Sequence, residues 1–189
     1  MADAFGFVGE LLARRRRRAE QANQDPLTTM LEQEDIYRLP VNVKRGLARV
    51  GGENRAELTS AQVGTMGSFK RFMLGAGPST HANTELSGAI GINPESALVG
   101  SIPYSGQDED IADAMVHELA HRRQVNRLSK PRVAIERAKE NLFYTYPEGP
   151  LEQEAFKAQA ERASRRGYHS PYVPVTIMSE ALAKRKAQR

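Results

Sequence analysis

His117-Glu118-Leu119-Ala120-His121 constrains the fold of this chain more than any other stretch. Two residues four apart lie about 40° from one another around a helix of 3.6 residues per turn, so a helix here presents both imidazoles on one face. Ile111, Ala112, Met115, Val116 and Leu119 form an apolar arc on the other side. A helix of that pattern packs its back into a core and turns its histidines into a cleft. The acids Asp108-Glu109-Asp110 stand where it begins and suit the positive end of its dipole. It is expected to run to about Leu128, ahead of Ser129-Lys130-Pro131.

Such a pair brings both Nε2 atoms to one metal ion at roughly 2.0–2.1 Å, with Glu118 at the rim of the same face. A zinc ion lowers the pKa of a water from about 15.7 towards about 7, where a neighbouring carboxylate can take its proton. The spacing thus supplies His117 and His121 as ligands for Zn²⁺ and Glu118 as general base.

A catalytic zinc site takes at least three protein ligands and keeps its fourth position open. The chain has four histidines and no cysteine. His81, in a Gly/Ser/Thr-rich loop, and His169, in a Tyr/Pro-rich one, show no ligand spacing. The better source is the helix that opens after Tyr146-Pro147-Glu148-Gly149-Pro150 and reads Leu151-Glu152-Gln153-Glu154-Ala155-Phe156-Lys157-Ala158. Glu152 and Glu154 differ by about 200° on a helix, so only one of them can face the metal. The other is a solvent-facing acid of a first helical turn.

At this point the chain resembles the gluzincin branch of the zinc metallopeptidases. In that branch a Glu on a later helix, often within Glu-x-x-Ala, completes the site. Glu152-Gln153-Glu154-Ala155 matches the pattern and implies Glu152 as third ligand, with Glu154 as the alternative. Many relatives place an Asp directly after that Ala to orient a histidine; this chain has Phe156 there. Asp113, four residues before His117, is a candidate for that task, although a plain helix acid is its simpler reading. The resemblance also implies an oxyanion-stabilising Tyr or His, for which Tyr144, Tyr146, Tyr168, His169 and Tyr172 are the candidates. Aromatic packing is the default role of each. Compact zincin-like domains with a Pro-x-Glu-x-Glu-Ala helix look like ones often encoded in bacteriophage and prokaryotic genomes.

The implied fold class is α+β, mostly helical, with a zincin-like metal-binding helix pair beside a small β-hairpin or sheet. Strand material is expected over 86–93 and 97–102, with Pro94-Glu95-Ser96 as the turn. Zincins of this kind commonly hold an extended substrate along an edge strand, where main-chain pairing is indifferent to sequence. One short helix is expected over Thr28–Tyr37, capped by Thr28 or Thr29, and one or two helices between Lys44 and Met73, interrupted at Gly51-Gly52 and helped by a Thr59-Ser60 start. Leu39–Val43 reads as a connector. Further helices are expected over Val133–Phe143 and Ile177–Arg189. Gly75 to Thr80 lacks the Lys and spacing of a phosphate loop.

The chain of 189 residues suits a single core. Residues 1–40 read as an N-terminal basic arm whose helix ends near Asn23, 41–175 as the zincin-like domain, and 176–189 as a basic C-terminal helix. Zero cysteines exclude disulfides and thiolate metal sites and fit a reducing compartment. No apolar run reaches the 18 or so residues of a membrane span. The apolar start precedes Arg14-Arg15-Arg16-Arg17-Arg18, the reverse of a secretory signal, so a cytoplasmic or virion-associated location is expected. The net charge of +4 divides into +2 over residues 1–50, −6 over 51–120 and +8 over 121–189. Basic helix residues are mostly solvated faces, and nucleic acid is not among the expected partners. Those partners are a peptide or protein substrate, cell-wall peptides included, and a protein docking on residues 1–25. Two functions follow: a zinc-dependent peptidase, or a structural or assembly protein, such as a virion or tail component, that keeps the fold and docks through its arm.

Overall fold

A computed structural model describes residues 25–67, 80–100 and 105–188. The helix expected to end near Asn23, the part of the Lys44–Met73 expectation beyond Gly67, the residues Gly75 to Ser79 and the pair Ser101-Ile102 lie outside the described residues. The fold is α+β and mostly helical, with a small three-stranded sheet.

Helix α1 (Pro26–Leu31) starts at Asp25, whose carboxylate accepts the Leu27 N–H at 3.4 Å. Helix α2 (Glu34–Tyr37) follows. The single helix expected over Thr28–Tyr37 is therefore two, and its cap is Asp25. The reason is the dipeptide Asp25-Pro26, which opens a helix with a capping carboxylate and an N1 proline. Met30, Ile36 and Leu39 are buried in the main core, which thus extends into residues assigned above to the arm.

Helix α3 (Val41–Ser60) begins inside the expected connector and passes straight through Gly51-Gly52. A Cβ on Gly51 would lie 2.5 Å from Leu27, and one on Gly46 would lie 2.5 Å from Ile111. These glycines let neighbouring helices approach rather than break α3. The irregularity comes later, at Asn54 (φ −133°, ψ 42°). Ser60 ends the helix instead of starting one.

Three strands, β1 (Val63–Thr65), β2 (Ala82–Thr84) and β3 (Ile90–Ile92), form a sheet in the order β1-β3-β2. β1 runs parallel to β3, pairing Val63 with Ile90, and β2 runs antiparallel, pairing Ala82 with Ile92. Among the described residues, only Ile90–Ile92 of the expected strand material is strand. Ala97–Gly100 is a helical turn, α4, because Ser96 caps it: Ser96 Oγ accepts the Val99 N–H at 3.1 Å. A four-residue apolar run carries no periodicity to separate the two states.

Helix α5 (Gln107–Leu128) is the central element, packed between α3 and the later helix α7 (Pro150–Arg166), with β2 against it. Its apolar arc, Ile111, Ala112, Met115, Val116 and Leu119, is buried. Helix α6 (Lys130–Phe143) leads out and α7 returns along α5; α8 (Val175–Ala187) packs on α7 through Ile177 and Met178. Among the described residues no helix is long and apolar enough to cross a membrane.

Candidate metal centre

Because α7 runs back along α5, its first turn meets the histidine face. His117 Nε2 and His121 Nε2 stand 3.1 Å apart. Glu152 Oε2 is 3.3 Å from His117 Nε2, and Glu152 Oε1 is 3.2 Å from His121 Nε2. Both histidines are buried and Glu152 is partly so, its side chain 25% exposed. Among the described residues this is the group of His and carboxylate side chains that can hold a metal ion. Donors bound at roughly 2.0–2.1 Å around a tetrahedral centre stand about 3.3 Å apart. The three separations fall close to that edge length.

The protonation balance points the same way. Two Nε2 atoms at 3.1 Å cannot both carry a proton towards each other, and Glu152 Oε2 is buried without a hydrogen-bond partner. Burial alone would raise the Glu152 carboxyl; the two imidazoles outweigh it and hold Glu152 well below the usual carboxylate range. His121 is raised, because the pull of Glu152 and Glu118 overcomes its burial.

Glu154, the alternative ligand, is turned to solvent and pairs with Arg127 at 2.8 and 3.1 Å. The 200° between the two glutamates decides this. Glu118 is buried, and Thr84 Oγ1 lies 2.8 Å both from its Oε2 and from its main-chain oxygen. That hydroxyl ties the carboxylate to strand β2. Asn93 N–H donates to His81 O at 2.9 Å and Glu85 N–H to Ala89 O at 2.8 Å. By antiparallel alternation the main-chain groups of Ala82 and Thr84 therefore point away from β3, at the edge of the sheet. The Thr84 carbonyl is already taken by Arg137 Nη1, 2.9 Å away.

Asp113 does not orient His117. Its Oδ1 accepts from Arg162 Nη1 and Tyr168 Oη, each at 2.7 Å. Arg162 is completely buried and also binds Glu53 and Glu109, an attraction that Asp113 joins from one turn before His117. His117 Nδ1 is buried without a partner, and Phe156 meets the ring edge-on at 4.6 Å in place of the Asp of the resembled pattern.

Of the five aromatic candidates, Tyr146 feels the charges of Glu152 and Glu118. It is 71% exposed yet packs on Phe156 with ring centroids 6.0 Å apart, and the loss of solvent on that side, with the charges of Glu152 and Glu118, pushes its phenol up to about 12. Tyr168 is engaged by Asp113; Tyr172 packs edge-on against His81 at 5.2 Å; His169 is exposed. Tyr144 lines a separate groove of about 530 Å³ between α6 and the start of α7. His81 is no part of the three-residue group.

Sequence reasoning missed Thr84 and Gln124, whose amide contacts His121. Thr84 carries no sequence signal, because 34 residues separate it from Glu118. Gln124 could have been found, since a residue three beyond His121 shares its helix face. No family model, curated protein or solved structure matches this chain.

Proposed function

We propose that the chain is a zinc-dependent metallopeptidase of zincin type, hydrolysing peptide bonds through a water activated by Glu118. The observation that carries the reading is the tetrahedral edge spacing, 3.1–3.3 Å, among His117 Nε2, His121 Nε2 and the Glu152 carboxylate. Two imidazoles and one carboxylate suit zinc better than the all-oxygen sets preferred by magnesium or calcium. Bound zinc supplies Lewis acidity, polarising a carbonyl and acidifying a water.

The chain's own residues supply the rest. Glu118 takes the proton of the attacking water as it adds to the peptide carbonyl, and then delivers it to the leaving amine. Thr84 holds that carboxylate in place from one side. Tyr146 donates its phenolic hydrogen to the carbonyl oxygen as negative charge develops there; a phenol pushed up to about 12 stays protonated and able to donate at neutral pH. The outward main-chain groups of β2 offer pairing for an extended peptide, shortened by the Arg137 contact on Thr84.

The test is cleavage of a mixed peptide library by the zinc-loaded full chain, beside Glu118→Gln. The expected result is turnover in the wild type and its loss in a variant that keeps its zinc. Zinc binding with no cleavage of any peptide, cell-wall peptides included, would contradict the peptidase reading and favour the assembly protein that docks through residues 1–25.

A further inference from the structure

Gln124 is fully buried on α5, one turn past His121. Its Nε2 donates to the Leu151 carbonyl at 2.8 Å, and its Oε1 lies 2.8 Å from His121 Nδ1. The direction of both bonds follows from elimination. A carbonyl oxygen only accepts, so the NH₂ end of the amide must face Leu151 and the oxygen end must face His121. An amide oxygen also only accepts, so His121 Nδ1 must carry a hydrogen. In the neutral ring the lone pair then falls on Nε2, the atom that belongs to the three-donor group.

The same amide reaches the other helix of the site. Leu151 precedes Glu152 in the first turn of α7, and its N–H is held by Glu140 of α6. With its carbonyl held by Gln124, Leu151 is fixed from two sides, and Glu152 with it. His117 has no equivalent: its Nδ1 is unpartnered and its ring is set by Phe156 alone among aromatic neighbours other than His121.

We propose that Gln124 is a positioning residue for the metal site, fixing the proton of His121 on Nδ1 and the register of Glu152 with one buried amide. This rests on the metal-site reading of His117, His121 and Glu152, and it adds the group that makes two of those three donors ready before a cation arrives. Partners of this kind typically change metal affinity by about 10–100-fold when removed.

The experiment has two arms on the full chain. In the metal-free wild type, long-range ¹H–¹⁵N correlation at alkaline pH reads the tautomer of neutral His121; a hydrogen on Nδ1 is expected, and a hydrogen on Nε2 would overturn the proposal. In the second arm, competition with a chromophoric chelator reads Zn²⁺ affinity for Gln124→Met, of similar size but apolar, and Gln124→Glu, which keeps the acceptor facing His121. The Met variant should lose about 10–100-fold in affinity, and the Glu variant, which keeps the acceptor on His121 but loses the donor to Leu151, should fall between the Met variant and the wild type. A folded Met variant that binds zinc as the wild type does would also overturn it. If the wild type binds no zinc, the metal reading fails, and the tautomer arm still decides the role of Gln124. If the Met variant does not fold, the Glu variant and the wild-type tautomer decide it.

Discussion

Helices α5 and α7 carry two clusters of ionisable side chains a few turns apart, and the clusters differ in whether their charges are already matched. At one end Arg162 spends all five of its N–H groups: on Glu53 through Nε and Nη2, on Glu109 through Nη2, and on Asp113 and Tyr168 through Nη1. Arg166 adds a second cation on Glu53, and Arg49 joins Glu109 and Asp108. At the other end Nε2 of His117, Nε2 of His121 and the Glu152 carboxylate converge on one another, with no Arg or Lys among the three. The first cluster is complete and serves to lock α3, α5 and α7 together. The second gathers three donor groups 3.1–3.3 Å apart, the set proposed above to hold zinc. Matched charge marks the first as a structural knot, and convergent donors mark the second as a candidate site.

Replacing Arg162 is the strongest way to break that contrast. Removing one partner of a buried ionic network leaves the others uncompensated, at a cost of about 3–5 kcal/mol. Arg162→Met is therefore expected to lower stability by that order in denaturant titration; a change under about 1 kcal/mol would mean that the network is not structural. Next in size is the response to zinc. A ligand at 100 times its dissociation constant stabilises by about 2.7 kcal/mol, so zinc should raise the Tm of the wild type by the corresponding amount and leave Glu152→Ala unmoved. An equal zinc response in that variant would remove Glu152 from the site.

A smaller effect separates the clusters by pH. Hydrogen bonds from Arg166 and Arg162 hold Glu53 below its ordinary value of 4.5, against the opposing effect of burial. A carboxyl depressed in the folded state stabilises fully above its ordinary value and loses that contribution as pH falls through the folded value. Glu53→Gln should thus cost about 1.5 kcal/mol at neutral pH, and its deficit against the wild type should close in acid below 4.5. A deficit independent of pH would assign the loss to packing. Smallest of all is Glu154→Ala, which breaks an exposed pair with Arg127. It should move stability by no more than about 0.5 kcal/mol and leave zinc affinity unchanged; weaker zinc binding would tie Glu154 to the site.

Much of the second cluster was legible in the sequence, because its logic is local. The four-residue spacing of His117 and His121 and the 200° between Glu152 and Glu154 are properties of any helix, and α5 and α7 begin at the acidic first turn and at Pro150 and bury their apolar arcs. The first cluster was not legible. Arg162 finds Glu53 across 109 residues, a relation that no periodicity encodes. The same applies to Thr84 against Glu118 and to the sheet, whose strands β1 and β3 pair across the chain. Glycines misled for a different reason. In sequence Gly51-Gly52 reads as a break, yet in the helix Gly51 is where Leu27 presses against α3. The departure at Phe156 was visible, but its consequence was not: a ring contact worth about 0.5–1.5 kcal/mol replaces a hydrogen bond on His117, while the buried Nδ1 is left without one.

The most direct test is zinc stoichiometry by elemental analysis of the purified chain, run beside His117→Ala, Glu152→Ala and Glu154→Ala. The expected result is about one zinc per chain, as a single three-donor site requires, lost with His117 and with Glu152 and retained with Glu154. No zinc in the wild type after supplementation, or zinc retained without His117 and Glu152, would contradict the site.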